Sequence, residues 1–130
     1  KMTKYKNKKC EFDGIKFDSL VERARYIDLL DMYKRGEISY LAVQPRFLLF
    51  DKFKRNGKKH RAIHYIADFH YTEEIQDFNG NCFDVTIIED VKGMKTAVYK
   101  LKLKRFLFLN PSIIFREVTL VGNKWEILEL

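Results

Sequence analysis

The sequence lacks the marks of several protein classes. Its two cysteines, Cys10 and Cys82, have neither the spacing of zinc ligands nor a CxxC motif. No apolar run approaches the roughly 18 residues that a membrane span needs, and no signal peptide is visible. Repeats, low-complexity tracts and linkers are missing as well. We therefore expect a soluble intracellular protein without membrane contact, in which the two thiols stay reduced.

Apolar residues are abundant enough for one packed domain. Hydrophobic residues make up 46% of the 130-residue chain and aromatic residues 15%, which is too much for a disordered chain. We predict a basic N-terminal arm over residues 1–10 and a single domain over residues 11–130.

The positive charge of the chain is clustered. The formal net charge is +7, and groups of Lys and Arg lie within residues 1–9, 52–61 and 92–105. Clustered positive charge suits the phosphate backbone of a nucleic acid. A solvated basic surface without a partner would have the same composition.

Two segments are predicted to be helices. Residues 19–22 (Ser-Leu-Val-Glu) have the S-x-x-E form of a capping box, and the helix they open should run to about Arg35, before Gly36. Residues 95–109 are good helix formers between a glycine and Asn110-Pro111. They are predicted to be the second helix, although part of the segment alternates like a strand.

Five segments are predicted to be strands, and glycine-containing turns separate several of them. The predicted strands cover residues 44–53, 60–73, 82–92, 112–118 and 121–130, with turns at Asn56-Gly57, Asn79-Gly80 and Gly122-Asn123. The second helix would let the fourth strand lie parallel to the third. This order predicts an α/β or α+β domain with a mixed central sheet flanked by helices.

The third strand ends in charged residues, in the stretch IIEDVKG (residues 87–93). Burying a charge is costly unless it is paired or holds a metal. Side chains on a strand alternate between faces, so Asp90 and Lys92 share one face and Glu89 points to the other. Glu89 is expected to pair with a nearby lysine.

Asp68 is the only acid within the mostly apolar residues 63–71. A two-residue turn at Asn79-Gly80 would place it opposite Val91 and on the wrong face for Asp90. A three-residue loop over 78–80, with Gly80 left-handed, places Asp68 directly opposite Asp90. If the two aspartates cooperate, the longer loop is required.

Two opposed carboxylates repel, and a divalent cation such as Mg²⁺ removes that repulsion. Lys92 would then position an attacking water or stabilise charge on a phosphate. An ordinary ion pair between Asp90 and Lys92 is the alternative. Glu22 lies on an apolar arc of its helix, so it either points toward this site or only caps the helix, and both roles are compatible.

Asp68, Asp90-Val91-Lys92 and Glu22 together resemble the signature of the PD-(D/E)XK nuclease superfamily. That signature has an acid on one strand, D/E-x-K on the next and a glutamate on an upstream helix. Ala67 stands where the superfamily's name has proline. Five stretches more closely resemble a family of small phage and prophage proteins of this superfamily, and they lie at residues 13–22, 43–47, 65–71, 89–93 and 96–102.

The resemblance implies a restriction-endonuclease-like αβββαβ core and phosphodiester hydrolysis that depends on Mg²⁺ or Mn²⁺. Asp68 and Asp90 would ligate the metal, with the Val91 carbonyl as a further ligand and Glu22 acting through water. Lys92 would act on the water or the phosphate. Relatives include Holliday junction resolvases, mismatch nickases and restriction enzymes.

The expected function is therefore structure-selective cleavage of branched DNA in phage DNA recombination. It would take place in the cytoplasm of a bacterial host, with a homodimer and phage or host recombination proteins as partners. A nuclease fold that binds DNA or a host protein without cutting, and an RNA-directed nuclease, are the alternatives.

Several basic and polar residues are predicted to contact DNA. Backbone N–H groups and lysines at a helix start suit phosphate, although a solvated helix face explains the same lysines. Gln44 either lines the cleft or holds a strand end through a hydrogen bond. The predicted contacts are Gln44, Lys58, Lys59, Arg61, Lys95, Thr96, Tyr99, Lys100 and Lys102.

Overall fold

The computed structural model describes residues 9–130, so residues 1–8 of the predicted arm lie outside the described part. The two helices of that part are α1 (Leu20–Lys34) and α2 (Ala97–Leu109). The strands are β1 (Cys10–Phe12), β2 (Ile15–Phe17), β3 (Ser39–Val43), β4 (Arg46–Phe50), β5 (Phe53–Arg55), β6 (Lys58–His60), β7 (Ile63–Ile66), β8 (Phe69–Gln76), β9 (Cys82–Val91), β10 (Ile114–Val121) and β11 (Lys124–Glu129).

A five-stranded mixed sheet forms the centre of the fold, in the order β11-β10-β9-β8-β3. Strands β9 and β10 are parallel, and the other neighbours are antiparallel. Helix α2 is the crossover between the parallel pair, as a connection of this length requires. The predicted α+β class with a mixed central sheet is confirmed.

Both helices begin at caps of the expected kind. The Ser19 hydroxyl accepts a hydrogen bond from the Glu22 N–H at 3.1 Å, and Gly36 has a φ of 78° directly after the C-cap of α1. Thr96 caps α2, so this helix begins two residues later than predicted. It buries Tyr99, Leu103 and Phe106, which recur at helical spacing.

The loop between β8 and β9 confirms the predicted register. Phe69 lies opposite Glu89 in the ladder, so the next position toward the strand end places Asp68 beside Asp90. The Asp77 N–H bonds to the Asn81 carbonyl at 2.9 Å and encloses residues 78–80. Gly80 has a φ of 83°, the left-handed conformation that this loop requires.

The predicted strands over residues 44–53 and 60–73 are not continuous in the structure. The structure divides this region into three short ladders, β3–β8, β4–β7 and β5–β6, which form one bent hairpin. The bend lies where Gln44 has a φ of 53°. There the Gln44 N–H bonds to the Asp68 carbonyl at 2.8 Å, and the Ala67 N–H bonds to the Pro45 carbonyl at 3.1 Å.

The bend has a packing cause. It carries β4 and β7 off the central sheet and over α2, where Leu49 and Tyr65 join the core cluster of Phe106 and Phe115. An unbroken strand would leave these apolar side chains in water, at a cost of about 2 kcal/mol for each large residue.

Two cores lie on opposite faces of the sheet. One lies against α1 and includes Tyr26, Leu29 and Ile87; the other lies against α2 and includes Ile88. Ile87 and Ile88 open the charged stretch, and both have no exposed surface. They enter different cores because neighbouring strand residues face opposite ways.

Glu89 pairs with an arginine, so the predicted lysine partner is wrong. The Arg25 guanidinium on α1 donates from Nε to Glu89 Oε1 at 2.6 Å and from Nη2 to Oε2 at 3.0 Å. The Tyr71 hydroxyl also donates to Glu89. Arginine suits this buried site because its planar fork matches a carboxylate at two points.

Within residues 9–130, no helix is long and apolar enough to cross a membrane.

Replacing Arg25 should strongly destabilise the fold. Arg25→Met leaves the fully buried Glu89 carboxylate without its ionic partner, and we expect a loss of about 3–5 kcal/mol in the free energy of unfolding. Urea denaturation followed by circular dichroism measures it. Arg35→Met is the matched control, because the ion pairs of Arg35 are exposed and should contribute far less to stability. Equal losses in the two variants would contradict the role assigned to Arg25.

Candidate functional site

A polar cleft of about 460 Å³ lies where β9 ends, beside the bend at Asp68 and the start of α1. It brings together six residues that the sequence predicted, together with others that it did not. Its lining residues are Lys16, Asp18, Glu22, Gln44, Ile66, Ala67, Asp68, Asp90, Val91 and Lys92. Lys16 and Asp18, at the entry to α1, were missed because they belong to no recognisable spacing.

The bend in the chain determines where the Asp68 side chain lies. The Asp68 N–H still donates to the Glu89 carbonyl at 3.1 Å. Beyond this point the neighbouring strand turns away, and the N–H of Val91 is bound by the Asp68 carboxylate instead, at 2.7 Å. The carboxylate therefore completes the ladder at the end of β9 and is held beside Asp90.

Asp90 is buried, with 1% of its surface exposed, on the face of β9 opposite to Glu89. The Tyr65 hydroxyl donates to Asp90 Oδ2, and the Lys92 ammonium lies 3.6 Å from Asp90 Oδ1. Asp90 and Lys92 thus share a face, as strand alternation predicted. The ion pair does not exclude a site role, because Lys92 also lines the open cleft.

Lys92 is positioned by its neighbours on β10 and α2. Its N–H donates to the Val118 carbonyl at 2.9 Å, and its carbonyl accepts from the Thr119 hydroxyl at 3.3 Å. The ammonium lies 4.2 Å from the centre of the Tyr99 ring, where the π electrons attract a cation. The lysine is therefore pre-oriented toward the two aspartates.

The acidic groups of the cleft are electrostatically crowded. Burial raises the pKa of Asp68 well above its ordinary value, and the charges of Asp90 and Glu22 raise it further. Burial also raises the pKa of Asp90, while hydrogen bonding to Asp68 and the charge of Lys92 oppose that change. Burial and the charges of neighbouring carboxylates therefore both disfavour the ionised form of Asp68.

Glu22 combines the two roles that the sequence left open. It belongs to the cap of α1, where the Ser19 hydroxyl donates to Glu22 Oε2 at 3.2 Å. It also lines the cleft, and its carboxyl hydrogen-bonds with Asp68 while burial raises its pKa. The first turn of α1 therefore adds a third carboxyl group to the site.

The donor atoms fit a small hard cation, although no preformed cage is present. Within residues 9–130, no three His, Cys, Asp or Glu side chains are arranged to enclose a metal ion. Mg²⁺ does not need such a cage, since it is commonly held by one or two carboxylates and completes its shell with water and substrate oxygens. Asp68 and Asp90 provide the carboxylates, and their mutual repulsion is what a divalent cation would relieve.

The predicted DNA contacts are distributed over different places. Thr96, Tyr99 and Lys102 line a groove that adjoins the cleft through Ile66 and Lys92. The Thr96 hydroxyl also accepts from the Tyr99 N–H at 3.0 Å, as the cap of α2. Among the described contacts, the Lys102 ammonium forms no hydrogen bond or ion pair.

Glu117 on β10 was missed, and it engages two of the predicted contacts. It is buried beside Asp90 in the parallel ladder. The Lys95 ammonium lies 2.9 Å from Glu117 Oε1, and the Tyr99 hydroxyl donates to Oε2 at 2.7 Å. An acid next to Arg116, in the otherwise apolar residues 113–118, was the available signal.

The remaining predicted contacts lie elsewhere. Gln44 lines the cleft, but its amide donates to the Lys16 carbonyl at 2.9 Å, which agrees with its structural alternative. Lys100 lies on α2 beside a different, shallow pocket. Lys58 and Lys59 are on the β5–β6 hairpin and Arg61 follows it, outside the cleft.

Comparison with known proteins identifies the family. The chain belongs to the family described as "Protein of unknown function (DUF1064)", whose model matches residues 2–125. No curated protein matches the chain. A solved structure described as "Crystal structure of SSO0001" is similar at 17% identity, with a TM-score of 0.44. The match covers 84% of this chain and 50% of that one, so the chain spans half the length of that protein.

Asp68→Asn should stabilise the metal-free protein at neutral pH. The pKa of Asp68 is raised in the folded state, so the stability linked to its proton is complete below about pH 4 and is lost as the pH rises through the folded pKa. Asparagine cannot ionise, and its carbonyl can still accept from Val91. We expect a gain of roughly 4 °C in Tm at pH 7, which shrinks toward pH 4.

Thermal melts in EDTA across this pH range measure the effect. Asp84→Asn, at an exposed position of β9, is the control and should change Tm little at any pH. A wild type that is as stable as the Asp68→Asn variant at pH 7 would contradict the crowding of the carboxylates.

Proposed function

We propose that this protein is a metal-dependent endodeoxyribonuclease of the PD-(D/E)XK type, which hydrolyses phosphodiester bonds in DNA. The observation that carries the proposal is the convergence of Asp68, Asp90 and Lys92 at the end of β9. Two carboxylates from neighbouring strands lie side by side in an open cleft, with an ammonium 3.6 Å from one of them. The three-residue hairpin loop that brings the two aspartates together is the one that this function requires.

Each group in the cleft has a chemical role in such a reaction. Asp68, Asp90 and the Val91 carbonyl would hold Mg²⁺ or Mn²⁺, with Glu22 reaching it through water. A bound divalent cation supplies neutralisation of phosphate charge and lowers the pKa of a coordinated water. Lys92 orients the attacking water or stabilises negative charge on the phosphate as the bond breaks.

The surrounding residues keep these groups in position. Tyr65 donates to the Asp90 carboxylate and orients it. Val91 fixes Asp68 through its N–H, and Tyr99 supports the Lys92 ammonium. Pre-organisation of this kind matters because a misplacement of about 1 Å can cost two orders of magnitude in rate.

The substrate belongs to the proposal as well. The groove beside the cleft is lined by Thr96, the cap of α2, and by Lys102, and both a helix N-terminus and a lysine ammonium favour a phosphate group. In keeping with the resemblance to junction resolvases, we propose cleavage of branched DNA in phage recombination. The setting would be the cytoplasm of a bacterial host. A homodimer would match the two-fold symmetry of a four-way junction, and phage or host recombination proteins would be its partners.

The decisive test is cleavage of labelled four-way junction, flap, duplex and single-stranded DNA in Mg²⁺ and in Mn²⁺. We expect the wild type to cut a branched substrate. Asp90→Asn and Lys92→Met should each reduce the rate by at least about 10²-fold, while DNA binding is retained. Lys34→Met, at the far end of α1, is the matched control and should cut normally.

Tight binding without cutting of any substrate in either metal would disprove the nuclease. The same panel includes RNA versions of each substrate, and cleavage restricted to RNA would replace the proposed substrate with the RNA alternative.

Metal binding can be tested without activity. Mg²⁺ should raise the Tm of the wild type in a concentration-dependent way, because a ligand that binds only the folded state stabilises it by mass action. Asp68→Asn and Asp90→Asn should abolish most of this shift, whereas Asp84→Asn should retain it. An equal shift in all four proteins would show that the cation does not bind between the two aspartates.

A further inference from the structure

The β5–β6 hairpin is a strongly basic ribbon that stands out from the domain. All residues of the two strands are exposed, apart from the half-buried His60. Residues 52–61 contain no acid, so nothing within the ribbon neutralises its charge. Its basic residues are Lys52, Lys54, Arg55, Lys58, Lys59 and Arg61.

The pairing of these charges disfavours the hairpin itself. Lys54 lies directly opposite Lys59, and Arg55 lies directly opposite Lys58. Like charges at paired positions destabilise a ladder, whereas one acid in each pair would stabilise it. Among the described residues, no carboxylate forms an ion pair with any of the four. Binding of an external polyanion would relieve this repulsion.

The ribbon is nevertheless built to hold its shape. Asn56 and Gly57 have φ angles of 49° and 76°, which match the tight turn that suits a twisted hairpin. At its base, the rings of Phe53 and His60 stack with centroids 4.4 Å apart and an interplanar angle of 3°. A cross-strand aromatic pair stiffens the ladder. The cations are therefore displayed on a fixed frame.

The ribbon lies close enough to the cleft for one DNA duplex to contact both. Ile66, at the end of β7, lines the cleft, and the hairpin leads from it back to the turn at Gly57. At roughly 3.3 Å per strand residue, the turn lies within about 30 Å of the cleft. One turn of B-form DNA is about 34 Å long.

We propose that the β5–β6 ribbon binds double-stranded DNA in its major groove, within one helical turn of the cleft. The major groove of B-DNA admits a two-stranded β-ribbon, whereas the deep, narrow major groove of double-stranded RNA does not. Lys54 and Lys59 face one way and Arg55 and Lys58 the other, so both walls of the groove meet positive charge. The inference deepens the proposed function and rests on its choice of DNA, but its test measures binding rather than cleavage.

The test compares the wild type with the double variant Lys54→Gln/Lys59→Gln in EDTA. The probe is a labelled duplex about three helical turns long. We expect the variant to bind at least tenfold more weakly at about 0.1 M salt, with a salt-dependence slope smaller by about 2, since each lost phosphate contact removes roughly 0.9. Its Tm should equal or exceed that of the wild type, because a repulsive pair has been removed.

The matched control is Lys34→Gln/Lys124→Gln, which removes two exposed lysines away from the ribbon. It should bind the duplex almost as the wild type does. Equal weakening in both double variants would overturn the proposal and leave only a general effect of net charge. Wild-type binding by the ribbon variant, no duplex binding by the wild type, or a loss seen with double-stranded RNA or single-stranded DNA rather than the duplex would overturn it too.

The two proposals can fail separately. Ribbon-dependent duplex binding without cleavage in any metal disproves the nuclease and supports the ribbon. Cleavage with duplex binding that does not depend on the ribbon disproves the ribbon alone.

Discussion

The buried ion pair between Arg25 and Glu89 is the contact on which the arrangement of the site depends. It joins the middle of α1 to the end of strand β9, and both side chains are buried. Because neighbouring strand residues alternate, holding Glu89 on the α1 side leaves Asp90 on the opposite side, next to Tyr65. A slip of one residue would turn Glu89 away from Arg25 and toward the opposite face of the sheet. The pair therefore ties the orientation of β9 to the position of the helix that carries Glu22.

On the other face of β9, the cleft brings several carboxyl groups close together. Arg25 and Tyr71 both donate hydrogen bonds to the Glu89 carboxylate. In the cleft, by contrast, burial and the charge of Asp90 raise the pKa of Asp68. Natural proteins accept such local instability where a ligand later relieves it. The adjacent acids Glu89 and Asp90 thus have different roles. Glu89 stabilises the fold, and Asp90 takes part in the chemistry of the proposed function.

The sequence could predict the contacts that follow from local rules. The cap of α1 depends on residues close together in the chain, and the structure agrees with it. The longer loop with left-handed Gly80 and the register between β8 and β9 were predicted only on the condition that Asp68 and Asp90 cooperate, and the structure has both. The partners of Glu89 and Lys95 could not be predicted in this way. Arg25 lies 64 residues from Glu89, and Glu117 lies on β10, on the other side of helix α2 in the chain from Lys95.

The bend that interrupts the predicted strands over residues 44–53 and 60–73 could not be predicted from local rules either. No glycine marks the bend, since Gln44 adopts a positive φ without being one. The bend is imposed by packing on α2, a helix that begins more than fifty residues later in the chain. Propensity predicted strands over β4, β7 and most of β8, but it missed β3 and nearly all of β5 and β6. Tertiary contacts decided which sheet each piece joined.

The bonds between Gln44 and Asp68 and between Pro45 and Ala67 close residues 44–68 into an excursion whose two ends leave the central sheet side by side. The strands on either side of this junction, β3 and β8, are paired independently of what lies beyond it. The entropic cost of lengthening a closed segment grows slowly with its length. The length and side chains of this excursion can therefore vary between relatives. The carboxylates at its base would keep their positions.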